Sequence, residues 1–288
     1  AIPDLINCLR DISWTVRTAA AQAIRDIGKG SIEAIPNLVH TLEDTDWRVR
    51  HRSIETLSQI GDDAIPALLA AIGSPNPLAR QGAVETLGEM KSNDPQVISS
   101  IASQLKDKDE AVRGKAVDAL RSIGKDALPA LIQWYEPLNE KMKVLIVSAI
   151  GGIGADGQDA IPFLRDILTS GSNKVRAEAA RSLGKIGLAN EDVLSSLTDS
   201  LIDKKLIVRR EAALSLGKLG PNAMGAVPSL YRALGDKEPD VRWRSCESLG
   251  RIGTKVPEVL AALEELLHDP YDYVSEAAQE ALDLIGES

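Results

Sequence analysis

The sequence predicts an all-α fold, an α-α superhelix of about nine two-helix repeats. Three observations carry this. One residue pattern recurs along the whole chain at spacings of 33 or 30 residues. Its apolar positions follow helical period and lack the two-residue alternation of a half-buried strand. The 288 residues are 44% hydrophobic but only 3% aromatic, so the core must be Leu, Ile, Val and Ala, which suits helix pressed on helix.

The anchor of the pattern is an Arg, usually in a Val-Arg pair. It falls at Arg17, Arg50, Arg80, Arg113, Arg176, Arg209 and Arg242, with Lys143 and Ser275 in the same column. Twelve residues earlier every repeat has an apolar residue, from Leu5 to Leu263, and seven residues later another, from Ile24 to Leu282. Apolar residues at −1, +3, +7 and +10 from the anchor lie on one helical face. Each repeat therefore reads as a helix A followed by a helix B. The repeats run 1–30, 31–63, 64–92, 93–126, 127–158, 159–189, 190–224, 225–255 and 256–288, forming a single array. A helix pair cannot cover its own apolar faces and must stack on its neighbours.

The helix boundaries have chemical causes. Helix A opens at a proline, as in Pro3, Pro36, Pro66, Pro129, Pro162 and Pro228, where a missing N–H costs little. Ser13, Asp46, Asn76, Asp109, Asn139 and Ser172 stand where helix B needs an N-cap, and Pro77 and Pro239 stand at its first turn. Helix B is expected to stop at Gly28, Gly61, Gly124, Gly154, Gly187, Gly220, Gly253 and Gly286, each left-handed, with Lys91 the one break in the series. A second glycine series, Gly88, Gly151, Gly184, Gly217 and Gly250, lies inside helix B. An interior Gly costs about 0.5–1 kcal/mol against Ala, so a close helix–helix approach is expected there.

Charge and composition exclude several function classes. A net charge of −9 argues against a general polyanion binder, since phosphate binding draws on clustered Lys and Arg. Cys8 and Cys246 are too few and too far apart for a disulfide framework, and a reducing, cytoplasmic setting is expected. No stretch approaches the ~20 apolar residues of a membrane span. The chain opens on Ala1-Ile2-Pro3, already inside a repeat, so upstream residues and no secretory leader are expected.

The proline-led helix A of Ala34-Ile35-Pro36 and Ala160-Ile161-Pro162 carries a family resemblance. An Asp lies six before the anchor, at Asp11, Asp44, Asp107, Asp203, Asp236 and Asp269. The Leu-Gly-x-Ile-Gly ending is clearest at 183–187 and 249–253. With these features the chain resembles the HEAT repeats, in particular the phycobilisome-lyase HEAT-like variant. The likeness covers essentially all of the chain and is specific for fold, not for function. It implies that the Asp and Arg columns form a ladder between adjacent repeats, so the Arg column reads as structural.

Candidates for chemistry are few. The HEAT-like metalloenzyme deoxyhypusine hydroxylase binds iron through His-Glu pairs, whereas His40, His51 and His268 are followed by Thr41, Arg52 and Asp269. No spaced Cys/His set for zinc and no nucleophile with a nearby base is present, so no catalytic or metal residue is assigned. Two clusters depart from the repeat average, Trp47–Arg52 and Val241–Arg244. Arg48, His51, Arg52, Trp243 and Arg244 lie off the apolar stripe and are expected to be exposed. Arg210 shares the +1 column with Trp243, and Tyr273 sits one turn earlier in the next repeat. A Trp beside Arg is a typical protein-contact hot spot, or could stack on a planar ligand or base. The plainer reading is that the Trp covers a neighbouring helix and the Arg residues pair with Glu55, Glu247 and Glu211. Trp14 and Trp47 share the −3 column and are expected to pack at the A–B turn. Repeat five replaces the Asp with Pro137 and the anchor with Lys143, which marks a local change of packing.

The expected function is a non-enzymatic scaffold that binds another protein on its inner, helix-B face through Arg48, His51, Arg52, Arg210, Trp243, Arg244 and Tyr273, without a cofactor. The resemblance implies an alternative, a bilin lyase or isomerase or a phycobilisome-associated adaptor, in which a bilin would be the bound group. Nucleic-acid binding is the least favoured class.

Overall fold

The computed structural model describes residues 1–287, and among these it holds eighteen α-helices and no strand. They alternate as A and B. Repeats one to four are α1 (Ile2–Cys8) and α2 (Trp14–Ile27), α3 (Ile35–His40) and α4 (Trp47–Ile60), α5 (Ile65–Ile72) and α6 (Pro77–Met90), and α7 (Pro95–Ser103) and α8 (Glu110–Ile123). Repeats five to seven are α9 (Leu128–Tyr135) and α10 (Glu140–Gly152), α11 (Ile161–Ser170) and α12 (Asn173–Ile186), and α13 (Glu191–Ser200) and α14 (Leu206–Lys218). The last two are α15 (Val227–Ala233) and α16 (Pro239–Ile252), and α17 (Pro257–Leu266) and α18 (Asp272–Glu287). Odd-numbered helices are A and even-numbered helices are B. The fold is the all-α, α-α superhelical class. Short 3-10 turns join repeats, seven residues at 28–34 and three at 62–64, which accounts for the 33- and 30-residue spacings.

The chain falls into two compact units, 1–138 and 139–288. The division runs through repeat five, beside Pro137, where the Asp and Arg columns are both interrupted. In that repeat Tyr135 replaces the usual Leu or Ile; it is buried, and burial pushes its phenol up to about 12.

The apolar columns form the core. Leu38, Leu57, Leu68, Leu87, Leu120 and Leu131 in the first unit, and Leu164, Leu183, Leu216, Leu230, Leu249 and Leu263 in the second, are inaccessible to solvent. Asp46, Asn76, Asp109 and Asn139 cap their B helices with side-chain oxygens. Ser13 and Ser172 occupy the cap position but turn their hydroxyls to Thr15 and Glu140. The glycine stops have positive φ from Gly28 to Gly253, and Gly187 and Gly253 are left-handed helical. Gly28, Gly61 and Gly124 swing to ψ near −140°, because the chain must turn at once into the next 3-10 segment. Gly286 is not a stop, since α18 runs to Glu287.

The B layer is the closer-packed one in each unit. The interior glycines are the cause. A Cβ on Gly88 would lie 2.5 Å from Ala119 Cβ, and one on Gly151 2.5 Å from Ser182 Oγ, so the next B helix sits directly on the glycine backbone. The A helices of unit 2 leave grooves between them, of about 510 Å³ between α11 and α13 and about 400 Å³ between α13 and α15.

Candidate functional site

The anchor arginines build an inter-repeat ladder. Arg17, Arg80, Arg176, Arg209 and Arg242 each grip the Asp 27 residues on, through Nε and one Nη. The other Nη donates to loop carbonyls of the same repeat, as Arg209 does to Asp203 at 2.8 Å. The Asp in turn accepts an amide two residues on, as Asp236 does from Glu238 at 2.9 Å. Burial alone would push the Asp236 carboxyl up. The Arg209 hydrogen bonds and the Glu238 amide outweigh it and hold the group below its ordinary value. This bidentate, charge-assisted set fixes the register of successive A–B turns; in these five rungs the Arg is structural.

In unit 1 the structure brings Arg48, His51 and Arg52 together, but not as a free cationic face. Arg48 lies over the Trp14 ring of the preceding repeat, 3.3 Å from its centre, and donates to Asp46 at 2.7 Å. That hydrogen bond holds the Asp46 carboxyl down at about 2. Arg52 pairs with Glu55 at 2.5 Å, Arg25 reaches the same carboxylate at 3.1 Å, and His51 stands 3.6 Å from it. The expected exposure holds for His51, whereas Arg48 and Arg52 are half-buried, because stacking and pairing fold them onto the helix surface. Trp47 does not pack at the turn as expected. It is 64% exposed, while Trp14, with Arg48 over one face of its ring, is 37% exposed.

In unit 2 the structure brings Arg210, Trp243, Arg244 and Tyr273 together across three repeats. Arg244 stacks on Trp243 with its guanidinium carbon 3.6 Å from the ring centre and donates to Glu247 at 2.6 Å. Tyr273 meets Trp243 edge-on, ring centres 5.6 Å apart, and its hydroxyl donates to Asp240 at 3.1 Å. Arg210 reaches Asp240 at 3.5 Å and Glu211 at 3.2 Å. Trp243 and Arg244 are half-buried, not exposed as expected, because each covers the other; Tyr273 is exposed. Pairing with Glu55, Glu211 and Glu247 is thus observed, while Arg48 takes Asp46.

The sequence reading passed over a further cationic column, nine residues after the anchor. Lys185, Lys218 and Arg251 are all exposed at the ends of α12, α14 and α16. Partial desolvation of its ammonium pushes Lys218 down against the pull of Glu211, and Lys185, Arg181 and Arg251 add to the lowering. The column was readable from the offset alone. Asp240, which joins Arg210 to Tyr273, was not, because its role depends on contact across repeats.

Cys246 is fully buried and burial pushes its thiol up to about 12, so it supplies no thiolate. Among the described residues no group of three or more His, Cys, Asp or Glu is placed to hold a metal. Among them, too, no helix is long and apolar enough to cross a membrane.

Three solved structures show the same fold. Kap121p bound to Nup53p aligns at TM-score 0.70 and 14% identity, over 99% of this chain and 37% of that one. The Escherichia coli protein YibA aligns at TM-score 0.55 and 22% identity, over 97% and 99%. An engineered protein aligns at TM-score 0.50 and 20% identity, over 99% and 88%. No curated protein matches the sequence significantly. The family model for HEAT repeats matches residues 2–81, 65–140, 128–217 and 203–283, overlapping windows that take in nearly every helix pair described above. The chain belongs to the HEAT-repeat family.

Proposed function

We propose that the protein is a non-enzymatic scaffold that binds another protein on its helix-B face, with Trp243, Arg244, Tyr273 and Arg210 as the principal contacts in unit 2. The observation that carries this is the held geometry of that cluster. Trp, Tyr and Arg dominate protein contacts. Here Arg244 and Tyr273 fix Trp243 from two sides, so little side-chain freedom remains to be lost on binding. A layer packed more closely than its companion bends a stack toward itself. The glycine contacts therefore support the B layer of each unit as the concave one, suited to an extended partner. Kap121p, of similar fold, is a protein that holds another protein, Nup53p. In unit 1, Arg48, His51 and Arg52 are a secondary contact at most, since Asp46 and Glu55 already neutralise them.

Affinity capture with the intact chain tests the reading. Trp243→Ala and Arg244→Ala should each release a partner that an A-layer control, Arg165→Ala, retains. Capture of every partner by both variants overturns the assignment. A red-shifted, protein-bound absorbance on adding a bilin would instead support the lyase-type alternative.

A further inference from the structure

We propose that Arg50 is a binding site for an aspartate carboxylate presented by the exposed chain of a partner protein. The molecule itself shows what fits an anchor arginine. In unit 1, Arg17 gives Nε and one Nη to the two oxygens of Asp44 at 2.6 and 2.8 Å, and Arg80 does the same to Asp107 at 2.7 and 2.8 Å. Arg50 stands at the same offset in α4. One Nη donates to the carbonyls of Asp44 and Thr45 at 2.7 and 3.1 Å, as Arg17 and Arg80 do to their own loops. The position that the Asp of the other rungs occupies, six residues before the next anchor, is held here by Ser74. The Ser74 Oγ accepts the Asn76 amide at 3.1 Å, the bond that Asp44 and Asp107 accept from Asp46 and Asp109. The loop keeps its hydrogen-bond pattern, although Ser74 lies 24 residues after Arg50 where the Asp of the Arg17 and Arg80 rungs lies 27 after, and no carboxylate stands at this position. Ser74 donates its hydroxyl to Glu43 at 3.2 Å. Among the described residues no group accepts from Nε or the second Nη of Arg50.

This fork borders a cavity of about 250 Å³ between α4 and α6, lined among others by Trp47, Arg50, His51, Leu78, Gln81 and Lys115. These two helices pack less closely than any other neighbouring B pair within either unit. Lys115 is engaged by Glu85 at 2.7 Å and His51 lies near Glu55, so Arg50 is the lining cation whose fork is open. The exposed Trp47 offers an apolar wall for the incoming chain. A planar carboxylate satisfies both remaining donors at once. Glu43 on Ser74 and Glu85 on Lys115 flank the rung, which favours a singly charged carboxylate over a phosphate dianion. The site lies in unit 1 and is independent of the aromatic cluster of unit 2.

Arginine Nε–Hε resonances of the whole chain test the proposal, with N-acetyl-aspartic acid amide as probe. The Arg50 resonance should move saturably toward the positions of Arg17 and Arg80, and the asparagine analogue should leave it in place. Ser74→Asp supplies the carboxylate from within. In that variant the Arg50 resonance should already be shifted and should ignore the probe, with unchanged Arg17 and Arg209 resonances reporting the fold. No movement in the wild type, equal movement with the asparagine analogue or with inorganic phosphate, or a folded Ser74→Asp chain that still responds would each overturn it.

Discussion

A Cβ on Gly217 would stand 2.4 Å from the Ser248 hydroxyl and 2.9 Å from the Ser248 Cα, so α14 and α16 meet with no room for a methyl group. Gly184 meets Ser215 in the same way. Ser248 and Ser182 close the contact by donating to the Ala213 and Val147 carbonyls of the preceding B helix, at 2.7 and 2.8 Å. Glycine facing a small residue, Ser in three pairs and Ala119 or Ala281 in the other two, therefore sets the spacing of these B helices.

Gly217→Ala should reverse the usual sign of a helix-interior Gly→Ala change. In an open helix Ala gains about 0.5–1 kcal/mol. At Gly217 the added methyl must push α16 away, and overpacking of this kind costs about 1–3 kcal/mol. Gly114, which has nothing within 4 Å of a built Cβ, is the control and should be stabilised by Ala. Urea midpoints of the two variants check this; a stabilised Gly217→Ala would contradict the close approach.

Arg209→Ala should be among the most damaging single changes. It strands the Asp236 carboxylate, whose side chain is 12% exposed, and leaves the Asp203 carbonyl without its donor. Removing one partner of a buried pair costs about 3–5 kcal/mol. Arg209→Lys should recover part of this, because an ammonium keeps the charge but not the planar fork. Equal urea midpoints for the wild type and the Ala variant would show that the ladder contributes no stability.

Acid should weaken the ladder. Burial pushes the carboxyls of Asp107, Asp203, Asp236 and Asp269 up, but arginine and amide hydrogen bonds bring each below its ordinary 3.8. A carboxyl depressed in the folded state adds stability that is complete above its unfolded value and lost as pH falls through the folded one. The gap between the wild type and Arg209→Ala should thus be fully present above the ordinary carboxylate range and shrink as pH falls below the ordinary 3.8. A gap that persists unchanged at pH 2.5 would place the effect outside Asp236 ionisation.

The periodic columns made the helices, their order and the glycine contacts legible in the sequence, because each repeat must bury the same face. The ladder was legible only through the family likeness, since its partners lie 27 residues apart on different repeats. The site was read less well. Arg48 and Arg244 lie off the apolar stripe and so looked free. Helical offset gives a direction, but not that Trp14 or Trp243 lies within stacking distance. Ser74 carries no signal of its own in the sequence; only the hydrogen bonds of the other rungs show what it replaces.

The two thiols should separate cleanly in a labelling experiment. Cys246 is inaccessible and its thiol is pushed up to about 12 by burial, whereas Cys8 in the first helix is half-buried. A thiolate-specific disulfide reagent should label one thiol per native chain and the second only on unfolding. Simultaneous labelling of both would show that α16 opens readily.

Lys91→Gly should stabilise the protein. Lys91 stands where seven other B helices place a glycine of positive φ, and it adopts φ 50°, ψ 38° all the same, the one non-glycine among the described residues with positive φ. The register of α6 against α7 imposes the left-handed turn whatever the side chain. A residue with a Cβ pays roughly 1–2 kcal/mol for that conformation. Glycine removes the strain but gains freedom in the unfolded chain, so the net effect should be a rise of about 0.5–1 kcal/mol. Lys91→Ala, which keeps the Cβ and loses only the exposed ammonium, should leave the urea midpoint nearly unchanged. If the Ala variant gained as much as the Gly variant, the lysine charge and not its backbone would be the source of strain.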